Sequence, residues 1–204
     1  MNWPSHGANP HFLYEQVGIA APETLIDFSA NINPSGPPRT LKERWTDFYE
    51  RMNVYPDPFA RLMRELLAKR ENIEATSILV GNGGAELITL IGRMLAGKDI
   101  LIIEPAFSEY EQACRANDCR ITYHPLAEGS WDLSIEELSE KITLCDAVFL
   151  CNPNNPTGVY YPLSDVKKLA EVCKQQNALL IIDEAFYDFL ENYEPITSLL
   201  RSYS

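Results

Sequence analysis

The chain is short of basic residues. Seventeen Lys and Arg stand against 29 Asp and Glu, a formal net charge of −12 over 204 residues. Duplex DNA and anionic membrane surfaces are held by clustered Lys and Arg, so neither is expected as the main partner. A small anionic ligand held by backbone N–H groups stays open. The five cysteines, Cys114, Cys119, Cys145, Cys151 and Cys173, are odd in number and form no C-x-x-C, which predicts reduced thiols in a cytoplasmic protein. The three histidines lack the spacing of a zinc site, so no metal is expected. No apolar run approaches the roughly 18 residues that cross a bilayer. The opening Met1-Asn2-Trp3-Pro4-Ser5-His6-Gly7 has neither the basic nor the apolar region of a signal peptide.

What is present is a core. Hydrophobic residues make up 46% of the chain and fall in regular runs, enough for one folded domain. Residues 1–40 are rich in Pro, Gly and Asn with little periodicity, which predicts an extended arm. From Phe59 the pattern turns helical, with Leu62, Met63, Leu66 and Leu67 following at i+3, i+4, i+7 and i+8. Short aliphatic runs then alternate with helix-like segments. The runs are Ile78–Val80, Ile100–Ile103, Ile121–His124, Ala147–Cys151 and Leu179–Ile182. The helical segments are Ala85–Leu95, Phe107–Asn117, Ile135–Lys141 and Ser164–Gln176. Aliphatic runs without alternation suit strands buried on both faces, and alternation with helices predicts a mostly parallel sheet in an α/β layer fold.

Ligands of such sheets sit at the carboxyl ends of the strands, so the loops after each run are the place to look for chemistry. Gly81-Asn82-Gly83-Gly84-Ala85-Glu86 opens a helix and reads either as a phosphate cradle or as a tight turn. Gly92 to Lys98 imitates a nucleotide loop but lacks the magnesium-binding hydroxyl. Phe107, after Glu104-Pro105-Ala106, could stack on a planar ring or pack at a helix start. Asn152-Pro153-Asn154-Asn155-Pro156-Thr157-Gly158 is a stiff loop rich in amides, suited to hold a donor at fixed geometry. Asp183-Glu184-Ala185-Phe186 places a carboxylate straight after a strand, as a ligand group or a helix cap.

These four loops, in this order, resemble the fold-type-I pyridoxal-phosphate enzymes of the class I and II aminotransferase family. Within it, His6-Gly7-Ala8-Asn9, the segment Asp27 to Pro34, and Tyr55-Pro56-Asp57-Pro58 resemble the threonine-phosphate decarboxylase branch. Histidinol-phosphate aminotransferases form the sister branch. The resemblance implies a three-layer α/β/α large domain, incomplete here, with a mostly parallel sheet. Residues 1–50 would be the arm and part of a small domain, and 51–204 the amino-terminal portion of the large domain. It implies pyridoxal 5′-phosphate as cofactor. Gly84, Ala85 and Glu86 would hold the phosphate through backbone N–H groups. Phe107 would stack on the ring, Asn155 would bond its phenolic oxygen, and Asp183 would pair with the pyridine nitrogen. Tyr55 would reach the phosphate of a neighbouring subunit, implying a homodimer. His6, Gly7, Asn31 and Asn155 would contact a small phosphorylated amino-acid substrate, O-phospho-L-threonine in the decarboxylase branch.

Two departures stand out. Histidinol-phosphate aminotransferases carry Tyr where this chain has Phe186, which points toward the decarboxylase. The family also joins its cofactor to a lysine beyond the Asp183 strand. The seven lysines, Lys42, Lys69, Lys98, Lys141, Lys167, Lys168 and Lys174, all precede Asp183. The expectation is therefore a front half of a larger enzyme, inactive and poorly stable on its own. A natural, non-catalytic phosphate-binding protein is the alternative.

Overall fold

A computed structural model describes residues 9–203; His6 and Gly7 lie outside the described residues. The chain divides between Phe59 and Ala60 into two units.

The first unit holds three short helices: α1 (Pro10–Val17), α2 (Arg39–Glu43) and α3 (Trp45–Arg51). The expected featureless arm thus contains a helix. Its signals are local: Asn9 Oδ1 accepts the Phe12 N–H at 3.2 Å, Pro10 opens the helix, and Gly18 ends it at φ 70°. None of the unit's described residues is buried.

The second unit begins with α4 (Arg61–Glu71) and a 3-10 turn at Ala75–Ser77, then α5 (Gly83–Met94). Four strands follow with helices between: β1 (Asp99–Glu104), α6 (Ser108–Arg115), β2 (Arg120–Pro125), α7 (Ile135–Ile142), β3 (Ala147–Cys151), α8 (Leu163–Gln175) and β4 (Leu179–Asp183). Two more 3-10 turns, Tyr187–Phe189 and Ile196–Leu199, lead into α9 (Leu200–Tyr203). The sheet is parallel throughout, in the order β2-β1-β3-β4.

Alternate residues feed two cores. Leu101, Ile103, Val148 and Leu150 pack with Leu138 and Ile142 of α7 and Val166 and Leu169 of α8. Ile100, Ile102, Ala147 and Phe149 pack with Ile88 of α5 and Tyr110, Ala113 and Cys114 of α6. That is the three-layer α/β/α arrangement. It places α6, which leads from β1 to β2, and α7 and α8, which carry the chain the other way, on opposite faces, as right-handed crossovers require.

Helix boundaries follow local chemistry. Ser134 caps α7 by accepting the Glu137 N–H, with Glu137 itself three residues on. Asn72, Asp118 and Asn177 follow α4, α6 and α8 in left-handed conformation, at φ 53°, 55° and 58°. Short polar side chains tolerate that region better than most.

Only β1 and β3 are buried on both faces; β2 and β4 are edges and are partly exposed. The run Ile78–Val80 is not a strand. It is extended at Ile78 but pairs with no strand among the described residues, and Leu79 is 69% exposed. A ladder needs a neighbour, and composition alone cannot supply one. The periodicity beginning at Phe59 does form α4, yet Leu62, Met63 and Leu66 stay exposed.

Candidate active site

The strand order makes the site. From β1 the chain steps one way to β2, then returns past β1 to β3. That reversal between β1 and β3 is a topological switch point, and its carboxyl edge is the place where open α/β sheets bind ligands. The α5 helix enters β1 through a short turn and runs opposite to it, so its N-terminus lies at the same edge as the carboxyl end of β1. The nucleotide-loop imitation from Gly92 to Lys98 is at the opposite edge. There Lys98 pairs with Asp146 at 3.3 Å and Arg120 pairs with Asp99. Gly92 lies inside α5, where an added Cβ would stand 2.8 Å from the carbonyl oxygen of Ala113. It is a helix-packing glycine.

The loop after β3 is tied from inside. Asn152 is buried; its Nδ2 donates to the Tyr161 carbonyl at 2.9 Å and its Oδ1 accepts the Tyr161 N–H at 2.8 Å. Asn154, also buried, donates to the Pro105 carbonyl at 3.0 Å and so joins the loops after β1 and β3. Its Oδ1 accepts both the N–H and the hydroxyl of Thr157. Two of the three asparagines are thus loop builders. Asn155 is half-buried, and its side-chain amide has no hydrogen-bond partner among the described residues.

Asp183 is the last residue of β4, in register with Cys151 of β3. Its Oδ1 accepts the Ala185 N–H at 2.9 Å and its Oδ2 accepts the Tyr110 hydroxyl at 2.7 Å. No cation faces it among the described residues. Tyr110 is 1% exposed, stacks on Phe149 at 5.1 Å, and meets Phe107 edge-on at 5.9 Å. Burial, and after it the neighbouring Cys151 and Asp183, hold the Tyr110 phenol far above its usual range. Burial also pushes the Cys151 thiol up; the thiol donates to the Pro153 carbonyl at 3.2 Å and is no nucleophile. Behind Asp183, Glu184 accepts the Tyr193 hydroxyl at 2.6 Å, and burial raises its carboxyl. Phe186 packs on Phe189, while the Tyr187 hydroxyl bonds Arg70.

At the start of α5 the Glu86 carboxylate folds back on the Asn82 N–H. Helix geometry then leaves the N–H groups of Gly83, Gly84 and Ala85 without intrahelical partners. Gly83 has φ 78°, where a side chain would be strained, and nothing stands within 4 Å of a Cβ built on Gly83 or Gly84.

The structure therefore brings Phe107, Asn155 and Asp183 to one sheet edge, with Gly84, Ala85 and Glu86 opening the helix at that edge. Asn31 and Tyr55 belong to the first unit; both are exposed, Tyr55 at 99%. Sequence reading overlooked Tyr110 and Asn154. Tyr110 was within reach, since it lies in the first turn of the helix that Phe107 caps, at the same end of the sheet. Asn154 was not, because nothing in the loop distinguishes an amide that ties the chain from one that faces a ligand.

Comparison with known proteins adds to this geometry. The family model described as aminotransferase class I and II matches residues 23–203. A threonine-phosphate decarboxylase of Salmonella typhimurium is 36% identical over 91% of this chain and 51% of its own length. The crystal structure of the histidinol-phosphate aminotransferase from Clostridium acetobutylicum superposes with a TM-score of 0.79 at 28% identity, over 88% of this chain and 53% of that one. That of histidinol-phosphate aminotransferase from Sinorhizobium meliloti, in complex with pyridoxal-5′-phosphate, shares the fold with a TM-score of 0.70 at 22% identity, over 86% of this chain and 47% of that one. The chain spans about half the length of the curated relatives it matches.

Proposed function

The chain belongs to the class I and II aminotransferase family, and on that premise we propose that it supplies the pyridoxal-phosphate half-site of a threonine-phosphate decarboxylase. The observation that carries the reading is Asp183. It is a carboxylate at the carboxyl edge of the sheet, with both oxygens held by N–H or O–H donors and no cation against it among the described residues. Such a group fits a protonated ring nitrogen. The donor set around it fits the rest of pyridoxal 5′-phosphate. Free N–H groups at the start of α5 suit a phosphate. The unpartnered Asn155 amide suits a phenolic oxygen, and Phe107 supplies an aromatic face.

When bound, the pyridine ring supplies an electron sink for the pair left by a broken bond at the substrate carbon. The chain's own part is to bind and orient. Asp183 would pair with the ring nitrogen and favour its protonated form. Of the expected set, Gly84 and Ala85 would hold the phosphate through backbone N–H groups, with Gly83 beside them, while the Glu86 carboxylate caps the helix at the Asn82 N–H. Asn155 would donate to the phenolic oxygen, and Phe107 would cover one face of the ring. Four of the seven lysines are engaged elsewhere. Lys98 pairs with Asp146, Lys141 donates to the Tyr123 carbonyl, Lys168 pairs with Asp165, and Lys174 donates to the Ser202 carbonyl. The covalent lysine would come from a longer protein that carries this chain. In that protein Tyr55 would serve a second subunit, and His6, Gly7 and Asn31 would contact the substrate.

Phosphothreonine as substrate is favoured by the 36% identity to the Salmonella decarboxylase, against 29% to the histidinol-phosphate aminotransferase of Geobacillus thermodenitrificans. Phe186, which has no hydroxyl to offer the cofactor oxygen, favours it too. The test is incubation of a full-length protein carrying this chain with pyridoxal 5′-phosphate and O-phospho-L-threonine. The expected products are carbon dioxide and aminopropanol phosphate. Transamination of histidinol phosphate without carbon dioxide would move the chain to the sister branch.

A further inference from the structure

The structure points to one residue whose role lies outside the set that would touch the cofactor. We propose that Tyr110 is a positioning residue, which fixes the carboxylate of Asp183 toward a cationic ring nitrogen and links it mechanically to the stacking ring of Phe107. The inference rests on the cofactor reading above and deepens it.

The geometry is specific. A carboxylate on a strand end can turn about its last bond, and one hydrogen bond does not stop it. Here each oxygen has its own anchor, the Ala185 N–H on Oδ1 and the Tyr110 hydroxyl on Oδ2. The two anchors come from different elements, the β4 loop and α6, so the carboxylate plane is set by the tertiary fold. Each oxygen keeps a second lone pair for a ligand N–H. Tyr110 itself cannot drift. It is buried, stacked on Phe149 from the central strand β3, and edge-on to Phe107. Burial first, then the neighbouring Cys151 and Asp183, favour the protonated phenol, the form that donates to Asp183. A site that must hold a planar ring between an aromatic face and a carboxylate gains from having both supports on one rigid unit.

The test needs no covalent lysine. Pyridoxamine 5′-phosphate carries the ring, phosphate and phenolic oxygen but no aldehyde, and its binding to this chain can be followed by fluorescence. A deaza analogue, with C–H in place of the ring nitrogen, is the control. Tyr110→Phe keeps the ring packing and removes one hydroxyl. The expected result is about tenfold weaker binding of pyridoxamine 5′-phosphate, with the deaza analogue bound as by the unaltered chain. In an Asp183→Asn background, Tyr110→Phe should have no further effect, because the two act through one group. Equal weakening toward both ligands, or full additivity with Asp183→Asn, would show a merely structural tyrosine and overturn the proposal while leaving the cofactor reading intact. No binding of either ligand by the unaltered chain would overturn both.

Discussion

At the scale of single residues, the buried polar groups carry the sharpest expectations. Asn152 closes a loop by exchanging two hydrogen bonds with the backbone of Tyr161. Asn152→Ala would leave a buried N–H and a buried carbonyl unpaired, a loss of about 2–4 kcal/mol. A urea midpoint lowered with an unchanged slope would register it. His124 offers a pH signal. It is 5% exposed on β2, and its Nδ1 is buried without a partner. Burial first, then Lys141, holds its pKa below the usual value, with Glu137 opposing. A depressed histidine stabilises the fold above its unfolded pKa, about 6.5, and that contribution is lost as pH falls below it. Thermal midpoints should therefore drop between neutrality and mildly acid pH, and His124→Gln should flatten that part of the profile. A wild-type midpoint that does not move over this range would contradict the assignment.

At the scale of elements, the packing of α5 on α6 is the vulnerable contact. Both helices hold the site from one face: α5 presents its N-terminal N–H groups, and α6 presents Tyr110 with Phe107 at its N-cap. Their close approach depends on Gly92, since a Cβ there would meet the backbone of Ala113. Gly92→Ala gains helix propensity but must push the helices apart, for a net loss of about 1–3 kcal/mol. It should also weaken binding of pyridoxamine 5′-phosphate, which calorimetry can measure alongside stability. An alanine variant as stable as the parent would mean that α5 shifts freely. Elements were the level most open to sequence reading. The β1, β3 and β4 runs and the α6, α7 and α8 segments match within two or three residues at their ends, because each rests on local periodicity and caps. Ile78–Val80 failed because a strand is a pair, and α1 was overlooked because its cap signals are short.

At the scale of the whole molecule, apolar surface is the dominant feature. Leu62, Met63 and Leu66 on α4, Leu79 and Val80 before α5, and Leu179 on the edge strand β4 are all exposed. Exposed rows of this kind, beside an unpaired sheet edge, favour association. The net charge of −12 opposes it without covering those residues. Light scattering should show mass rising with protein concentration, and Leu62→Glu with Leu66→Glu should reduce it. A monomer at every concentration, unfolding in one cooperative transition, would refute the expectation. No helix among the described residues is long and apolar enough to cross a membrane.

The amino-acid sequence by itself determined the alternation of strands and helices, the parallel α/β class, and the candidates Gly84, Phe107, Asn155 and Asp183. Periodicity marked the elements and the loops after the apolar runs; the choice of those four residues within the loops is what the resemblance to the aminotransferase family implied. Only the tertiary structure decided the strand order, and with it the switch point between β1 and β3, since the direction of a crossover is not written in any one segment. It also decided which asparagine of the β3 loop is left unpartnered. And it joined Tyr110 to Asp183, 73 residues apart in the chain, by a hydrogen bond that only the packing of α6 on the sheet could form.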